Sequence, residues 1–188
     1  MVPVQRIVIT GEPVLHKRAQ EVDEISDEIR ALVDEMYLTM EKAPGVGLAA
    51  PQIGVGLRIF VYDWQTEDGH YRGVAINPTL ELSEVSTEWP DEDLEVEGCL
   101  SIPGERYPLK RADNATLRAL DIEGREFEVQ ASGWLARIFQ HEFDHLNGIL
   151  YADRLLKPYS RELKRVIKDE GWGVPGQSWM PGQDFLEP

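Results

Sequence analysis

The chain has 188 residues, enough for one domain with a hydrophobic core. Hydrophobic residues make up 42% and charged residues 28%, and no run approaches the length of a membrane-spanning helix, which excludes an integral membrane protein. A net charge of −15 repels nucleic-acid backbones and excludes generic DNA or RNA binding. In chain order, residues 27–42 read as a helix, because Ile29, Leu32, Val33, Met36, Tyr37 and Met40 recur at helical spacing. Ser26 is the expected N-cap, and Pro44-Gly45 stops the helix. A glycine-rich loop over 45–56 follows, then a strand over 57–62. Residues 67–70 read as a turn into a second strand over 71–76. Further strands are expected at 80–88, 115–121 and 126–131, the last two flanking a hairpin turn at Ile122-Glu123-Gly124-Arg125.

A second helix is predicted from Ser132 to Leu146, with Asn147-Gly148 as its stop, and a third over 160–169. The remainder, 171–188, is too rich in Gly, Pro and Trp for a helix. It reads as either a disordered tail or an extended arm, and Trp172, Trp179 and Phe185 favour an arm that packs back. Residues 1–170 are therefore expected to form the main domain and 171–188 an irregular arm. Short strands joined by hairpins beside helices give an α+β fold: mainly antiparallel sheets around a helix, with a C-terminal helix and an extended tail.

Residues 1–11 lack a basic region followed by a long apolar core, so they do not read as a signal peptide. The expected location is the cytoplasm, though a processed organellar protein would read the same. Acid clusters at 21–28 and 91–97 read as solvated surface. The single cysteine, Cys99, excludes an internal disulfide. It is either an inert core residue or a reactive or metal-binding thiolate, and composition alone favours the first.

The sharpest chemical signal is His141-Glu142-Phe143-Asp144-His145. Residues i and i+4 lie about 40° apart around a helix axis, so both imidazoles project from one face and can grip one metal ion. Glu142 stands beside them, placed to handle the proton of an activated water. The competing reading is a histidine pair facing solvent. Against it, Leu135, Ile138, Phe139 and Leu146 make this helix a buried one, where unpartnered polar groups are costly. A third ligand is needed. No histidine follows His145, and His16 and His70 look like surface residues, which leaves Cys99 as an attractive candidate. One thiolate and two imidazoles leave the fourth tetrahedral position open, as in catalytic sites.

Three motifs, in order, carry a family resemblance: Gly45-Val46-Gly47-Leu48-Ala49-Ala50-Pro51-Gln52, Glu97-Gly98-Cys99-Leu100-Ser101, and Gln140-His141-Glu142-Phe143-Asp144-His145-Leu146. Together they resemble peptide deformylase of the bacterial type, over residues of about 5 to 160. The resemblance implies a cytoplasmic hydrolase that removes the formyl group from N-formylmethionyl nascent peptides and releases formate. It implies Cys99, His141 and His145 as metal ligands, Glu142 as general base and then acid, and Gln52 with the backbone N–H of Leu100 as oxyanion donors. Taken alone, Gln52 is an ordinary loop residue. Ligand chemistry by itself favours zinc, whereas the resemblance implies Fe(II), with zinc or nickel able to bind.

The methionine side chain is expected in an apolar pocket shaped by Gly98, Trp134 and Ile138. The peptide backbone would run along Val46 and Gly47, with Arg106 steadying its distal part. The glycines at 45, 47 and 54 could suggest a phosphate loop, but close approach of a substrate backbone explains them better. Arg137 could equally be a surface residue. Asp144 either orients a metal ligand, or pairs with Arg111, or is an ordinary satisfied core acid. A transient ribosome contact is implied, and Arg161, Lys164, Arg165 and Lys168 could supply it, or could be a solvated helix face. No DNA and no membrane partner is expected. Two other readings stand beside this one. A small zincin-like protease would leave Cys99 and Gln52 without roles. A relative that only binds formylated peptides is opposed by the intact Glu142, Gln52 and Cys99.

Overall fold

A computed structural model describes residues 2–67 and 69–184. The elements run β1 (Ile7–Val8), α1 (Asp27–Lys42), β2 (Gly47–Ala49), β3 (Ile59–Gln65), β4 (His70–Leu82), β5 (Val96–Cys99), β6 (Ile102–Pro108), β7 (Asn114–Leu120), β8 (Glu126–Ser132), α2 (Gly133–Leu146), α3 (Tyr151–Arg154), α4 (Tyr159–Asp169) and β9 (Ser178–Trp179). Every strand pairing is antiparallel, as the short hairpin-linked strands predict, and helices pack against the sheet in an α+β arrangement.

The main sheet has the order β2-β3-β4-β7-β8. Its middle is buried on both faces, because side chains alternate along each strand. Ile59, Val61, Val74 and Ile76 join Val33, Met36 and Met40 of α1 in one core. Phe60, Tyr62, Ala75 and Leu117 join Leu135, Ile138, Phe139 and Leu146 of α2 in another. Phe139 meets Tyr62 edge-on at 4.9 Å between ring centroids. A third core of Leu15, Ile102, Tyr107, Leu150, Tyr151 and Leu163 supports β5 and β6. The helix that bears the histidines is thus pressed between the sheet and the β5–β6 hairpin.

Several expectations need correction. The loop over 45–56 contains a strand, β2, and a 3₁₀ turn over Ala50–Ile53. The strands expected at 71–76 and 80–88 are one strand, β4, which ends at Leu82. They are joined through a bulge at 77–78. Pro78 has no N–H to offer the ladder. Asn77 takes φ 50° there, and its side chain accepts from Val22 N–H at 2.8 Å and donates to Val22 C=O at 2.9 Å. Ser26 holds the N-cap position of α1 without a capping hydrogen bond. After α2, Gly148 adopts φ 74°, and a Cβ there would lie 2.6 Å from the Lys17 nitrogen, so only glycine fits.

The C-terminal segment packs back on the domain. β9 pairs with β1, and Trp179 is 1% exposed. Trp172 is half-buried against two of the cores. Phe185, the third expected anchor, lies outside the described residues. Among the described residues no helix is long and apolar enough to cross a membrane.

Candidate active site

Helix α2 carries His141, Glu142 and His145, and β5 brings Cys99 against them. The spacing within α2 does what the sequence predicts: His141 Nε2 and His145 Nε2 lie 3.2 Å apart. Cys99 Sγ is 3.4 Å from His145 Nε2, and one ligand atom from each of the three residues falls within 4.8 Å of the others. All three residues are buried. His16 and His70 are exposed and play no part here.

The fit to a metal can be judged from the donors. A thiol and two imidazoles aimed at one point are a soft, nitrogen-rich set suited to zinc or a first-row transition metal. Glu142 Oε2 is buried without a hydrogen-bond partner among the described residues. Such an atom needs a proton or a ligand. Burial pushes the Glu142 carboxyl up to about 7, before the charge of a bound cation, which lowers it, is counted. His145 is pushed well down by burial and by neighbouring His141, which favours the neutral imidazole that a metal needs. Burial would also lower His141, but Cys99 and Glu97 outweigh it and hold it well above its ordinary value. A metal that bound there would have to displace the His141 Nε2 proton.

Glu97 is the functional residue that sequence reasoning missed. Grouped with the acidic surface, it is in fact 3% exposed. Its Oε1 accepts from His141 Nδ1 at 2.7 Å and from Arg111 Nη2 at 2.6 Å. Its Oε2 accepts from Arg111 Nε at 3.1 Å and Arg137 Nη1 at 3.0 Å. Burial would raise this carboxyl, yet Arg111 and the bond from His141 hold it far below the usual carboxylate range. By taking the Nδ1 proton, Glu97 fixes the tautomer that leaves His141 Nε2 free for the metal point. A signal was available: two positions apart in a strand, Glu97 shares the buried face of Cys99. Arg137 carried a similar one, a cation among Leu135, Ala136, Ile138 and Phe139. It is buried, and it also donates to Leu109 C=O at 2.7 Å.

Among the described residues the Asp144 carboxylate hydrogen-bonds no candidate metal ligand. Of the readings left open for it, pairing with Arg111 is the one observed, at 2.6 Å, together with a two-pronged pair to Arg154. Through Arg111 it belongs to the same charge network as Glu97. Gln140 sits beside the histidines but faces away. It bonds both main-chain groups of Ala112, pinning α2 to the strand edge.

Gln52 comes from the 3₁₀ turn after β2. Its Oε1 accepts from Ala49 N–H at 2.9 Å, which orients the amide. The NH₂ end donates to Cys99 Sγ at 3.8 Å and Ser101 Oγ at 3.4 Å, which aims it at the candidate metal ligand. Gly47 has a reason of its own, different from substrate approach. A Cβ there would stand 2.3 Å from Glu142 Oε1, so the carboxylate occupies the space a side chain would fill.

A cleft of about 190 Å³ opens over these groups. Its walls include Val46, Gly47, Gln52, Gly98, Cys99, Leu100, Arg106, Trp134, Ile138, His141 and Glu142. Of the twelve residues that the sequence assigns to metal, catalysis or substrate, His145 alone is not on the wall. Trp134 and Arg106 form an exposed rim, and Arg137 lies 5.3 Å from the centroid of the Trp134 ring.

Chemistry of this kind belongs to metal-assisted hydrolases. Residues 4–161 match the family Polypeptide deformylase. A peptide deformylase of Mycolicibacterium paratuberculosis is 48% identical over 191 aligned positions, covering 97% of this chain and 95% of the relative. Among solved structures, a peptide deformylase of Legionella pneumophila superposes with a TM-score of 0.78 at 36% identity, covering 90% of this chain and 96% of that one. That of Synechococcus elongatus, in complex with actinonin, gives 0.77 at 34% identity, covering 94% of each. The chain belongs to the polypeptide deformylase family.

Proposed function

We propose that this chain hydrolyses the formyl amide of N-formylmethionine at the start of newly made polypeptides, releasing formate and a free amine, with the roles assigned as follows. The observation that carries the reading is the meeting of Cys99, His141 and His145 beside one cleft with a buried Glu142 whose Oε2 has no hydrogen-bond partner among the described residues. Cys99, His141 and His145 hold one divalent metal, which we assign as Fe(II), zinc or nickel suiting the same donors. When bound, the metal polarises the formyl carbonyl and makes water a better nucleophile at neutral pH. Glu142 accepts the proton of the attacking water and delivers it to the leaving amine. Gln52 Nε2 and the Leu100 N–H donate to the formyl oxygen as charge develops on it.

The substrate enters as an added strand. β2 is an edge strand, and the Val46 carbonyl already accepts from Asp63 N–H at 3.0 Å, inside the sheet. Alternation along the strand then turns the Gly47 main-chain groups to the open side, toward the peptide. Gly98, Trp134 and Ile138 receive the methionine side chain, and Arg106 on the rim steadies the residues beyond it. Residues 1–170 act as the catalytic unit and 171–188 as its arm. The exposed Arg161, Lys164, Arg165 and Lys168 of α4 touch ribosomal phosphates transiently in the cytoplasm. Reversing those four charges without change in ribosome co-sedimentation would remove that contact from the scheme.

The deciding experiment measures formate release from an N-formylmethionyl peptide by anaerobically prepared, metal-analysed protein, beside Glu142→Ala. Wild type should release formate, and the variant should keep its metal and lose turnover. A fully metal-loaded wild type that releases none would overturn the assignment.

A further inference from the structure

Leu100 and Ser101 form the tight turn between β5 and β6, immediately after the candidate ligand Cys99. A turn has no ladder to fix its peptide planes, so their direction depends on outside bonds. Here both carbonyls are held. The Leu100 carbonyl accepts from the Trp179 indole Nε1 at 2.8 Å, a buried bond, and the Ser101 carbonyl accepts from Thr10 N–H at 2.8 Å. The two donors come from opposite ends of the chain and are themselves tied together. β1 pairs with β9, Ile9 N–H donates to Gln177 C=O at 3.0 Å, and Gly173 N–H donates to Thr10 C=O at 2.9 Å. Trp179 also packs in the same core as the Leu100 side chain.

We propose that Trp179 is a positioning residue for the deformylation reaction: by holding the Leu100 carbonyl it fixes the Leu100–Ser101 peptide plane, and with it the Leu100 backbone torsions that aim the Leu100 N–H, in the preceding plane, toward the formyl oxygen. This rests on the reading of Leu100 as an oxyanion donor. The Leu100 N–H shares its peptide plane with the Cys99 carbonyl, and Cys99 is paired with Ile102 across the hairpin; Trp179 holds the next plane, so the plane of the Leu100 N–H is gripped at both of its ends. The arm is then part of the catalytic apparatus, although it lies at the far end of the sequence.

The test is Trp179→Phe in the full-length, metal-loaded protein, which keeps an aromatic ring and removes the N–H. Misdirecting one donor should lower kcat about tenfold while KM stays within about twofold and metal content is unchanged. The Leu100 amide should shift in ¹⁵N–¹H spectra while the amides of α2 hold still. An unchanged kcat overturns the proposal and leaves the deformylase reading intact, whereas an inactive metal-loaded wild type overturns both. Should the variant fold poorly, exchange of the Trp179 indole proton in wild type decides. Protection far beyond that of Trp89, which is 55% exposed, supports the held carbonyl, and equal exchange overturns it.

Discussion

Gly47→Ala is the smallest perturbation that should disable the site without touching a candidate metal ligand. The added methyl would lie 2.3 Å from Glu142 Oε1, 2.8 Å from its Cδ and 2.9 Å from its Cγ. Non-bonded heavy atoms need roughly 3.5 Å, so the carboxylate must retreat by about 1 Å. Glu142 is 4% exposed and sits on a helix packed against the sheet, and Gly47 lies in a strand paired across from Tyr62. The side chain therefore has to rotate in place. Displacing a proton-transfer group by about 1 Å costs on the order of 10²-fold in kcat, and the overpacking costs about 1–3 kcal/mol of stability. The assay is formate release at matched metal content, with urea unfolding on the same samples. Metal content should be unchanged, because no atom of Cys99, His141 or His145 is among the nearest to the new methyl. A variant with kcat within threefold of wild type would refute the argument that Gly47 is present to make room for Glu142.

Four further outcomes follow from the same geometry. Glu97→Gln leaves Arg111 and Arg137 without their full counter-charge and loosens His141, so stability should fall by about 3–5 kcal/mol and metal affinity by about 10–100-fold, read by urea unfolding and metal titration. Because the folded carboxyl titrates below its unfolded value of 4.5, its contribution is fully present above that pH and is lost as the pH falls through the folded value. The deficit of the variant should therefore shrink on acidification below about pH 4.5, and a constant deficit would contradict the depressed pKa. Asp144→Ala removes one of the two carboxylate partners of buried Arg111, and a loss of about 2–4 kcal/mol is expected, with Arg154 contributing little because its side chain is 44% exposed. Phe139→Ala empties a site shared with Phe60 and Tyr62 and should cost about 3–5 kcal/mol by thermal or urea unfolding. Chelation should lower the thermal midpoint and readdition of metal should restore it; a midpoint indifferent to chelator would mean that Cys99, His141 and His145 hold no structural or catalytic ion.

The features that rest on short-range geometry were legible in the chain. Helical periodicity placed α1 and α2, and a four-residue spacing put two imidazoles on one face, because a helix turn is a property of neighbouring residues. The β7–β8 hairpin followed from a turn sequence between alternating runs. Cys99 emerged by elimination, since few other side chains could complete the donor set. Residues whose meaning depends on distant partners were misread or left open. Glu97 looked like one more surface acid until Arg111, Arg137 and His141 surrounded it, from 14, 40 and 44 positions away. Gly47 was read only as a glycine for close substrate approach, and the room it leaves for the Glu142 carboxylate could not be seen. Trp179 could only be judged an apolar anchor, while its indole N–H meets a carbonyl 79 positions back in the chain. The sequence by itself determined the candidate reactive groups and the helix that carries three of them, His141, Glu142 and His145. Which charges are buried together, which backbone carbonyls are held and how much room Glu142 has were decided by the tertiary structure. Burial and hydrogen-bond direction depend on the packing of the whole chain, which local periodicity does not encode.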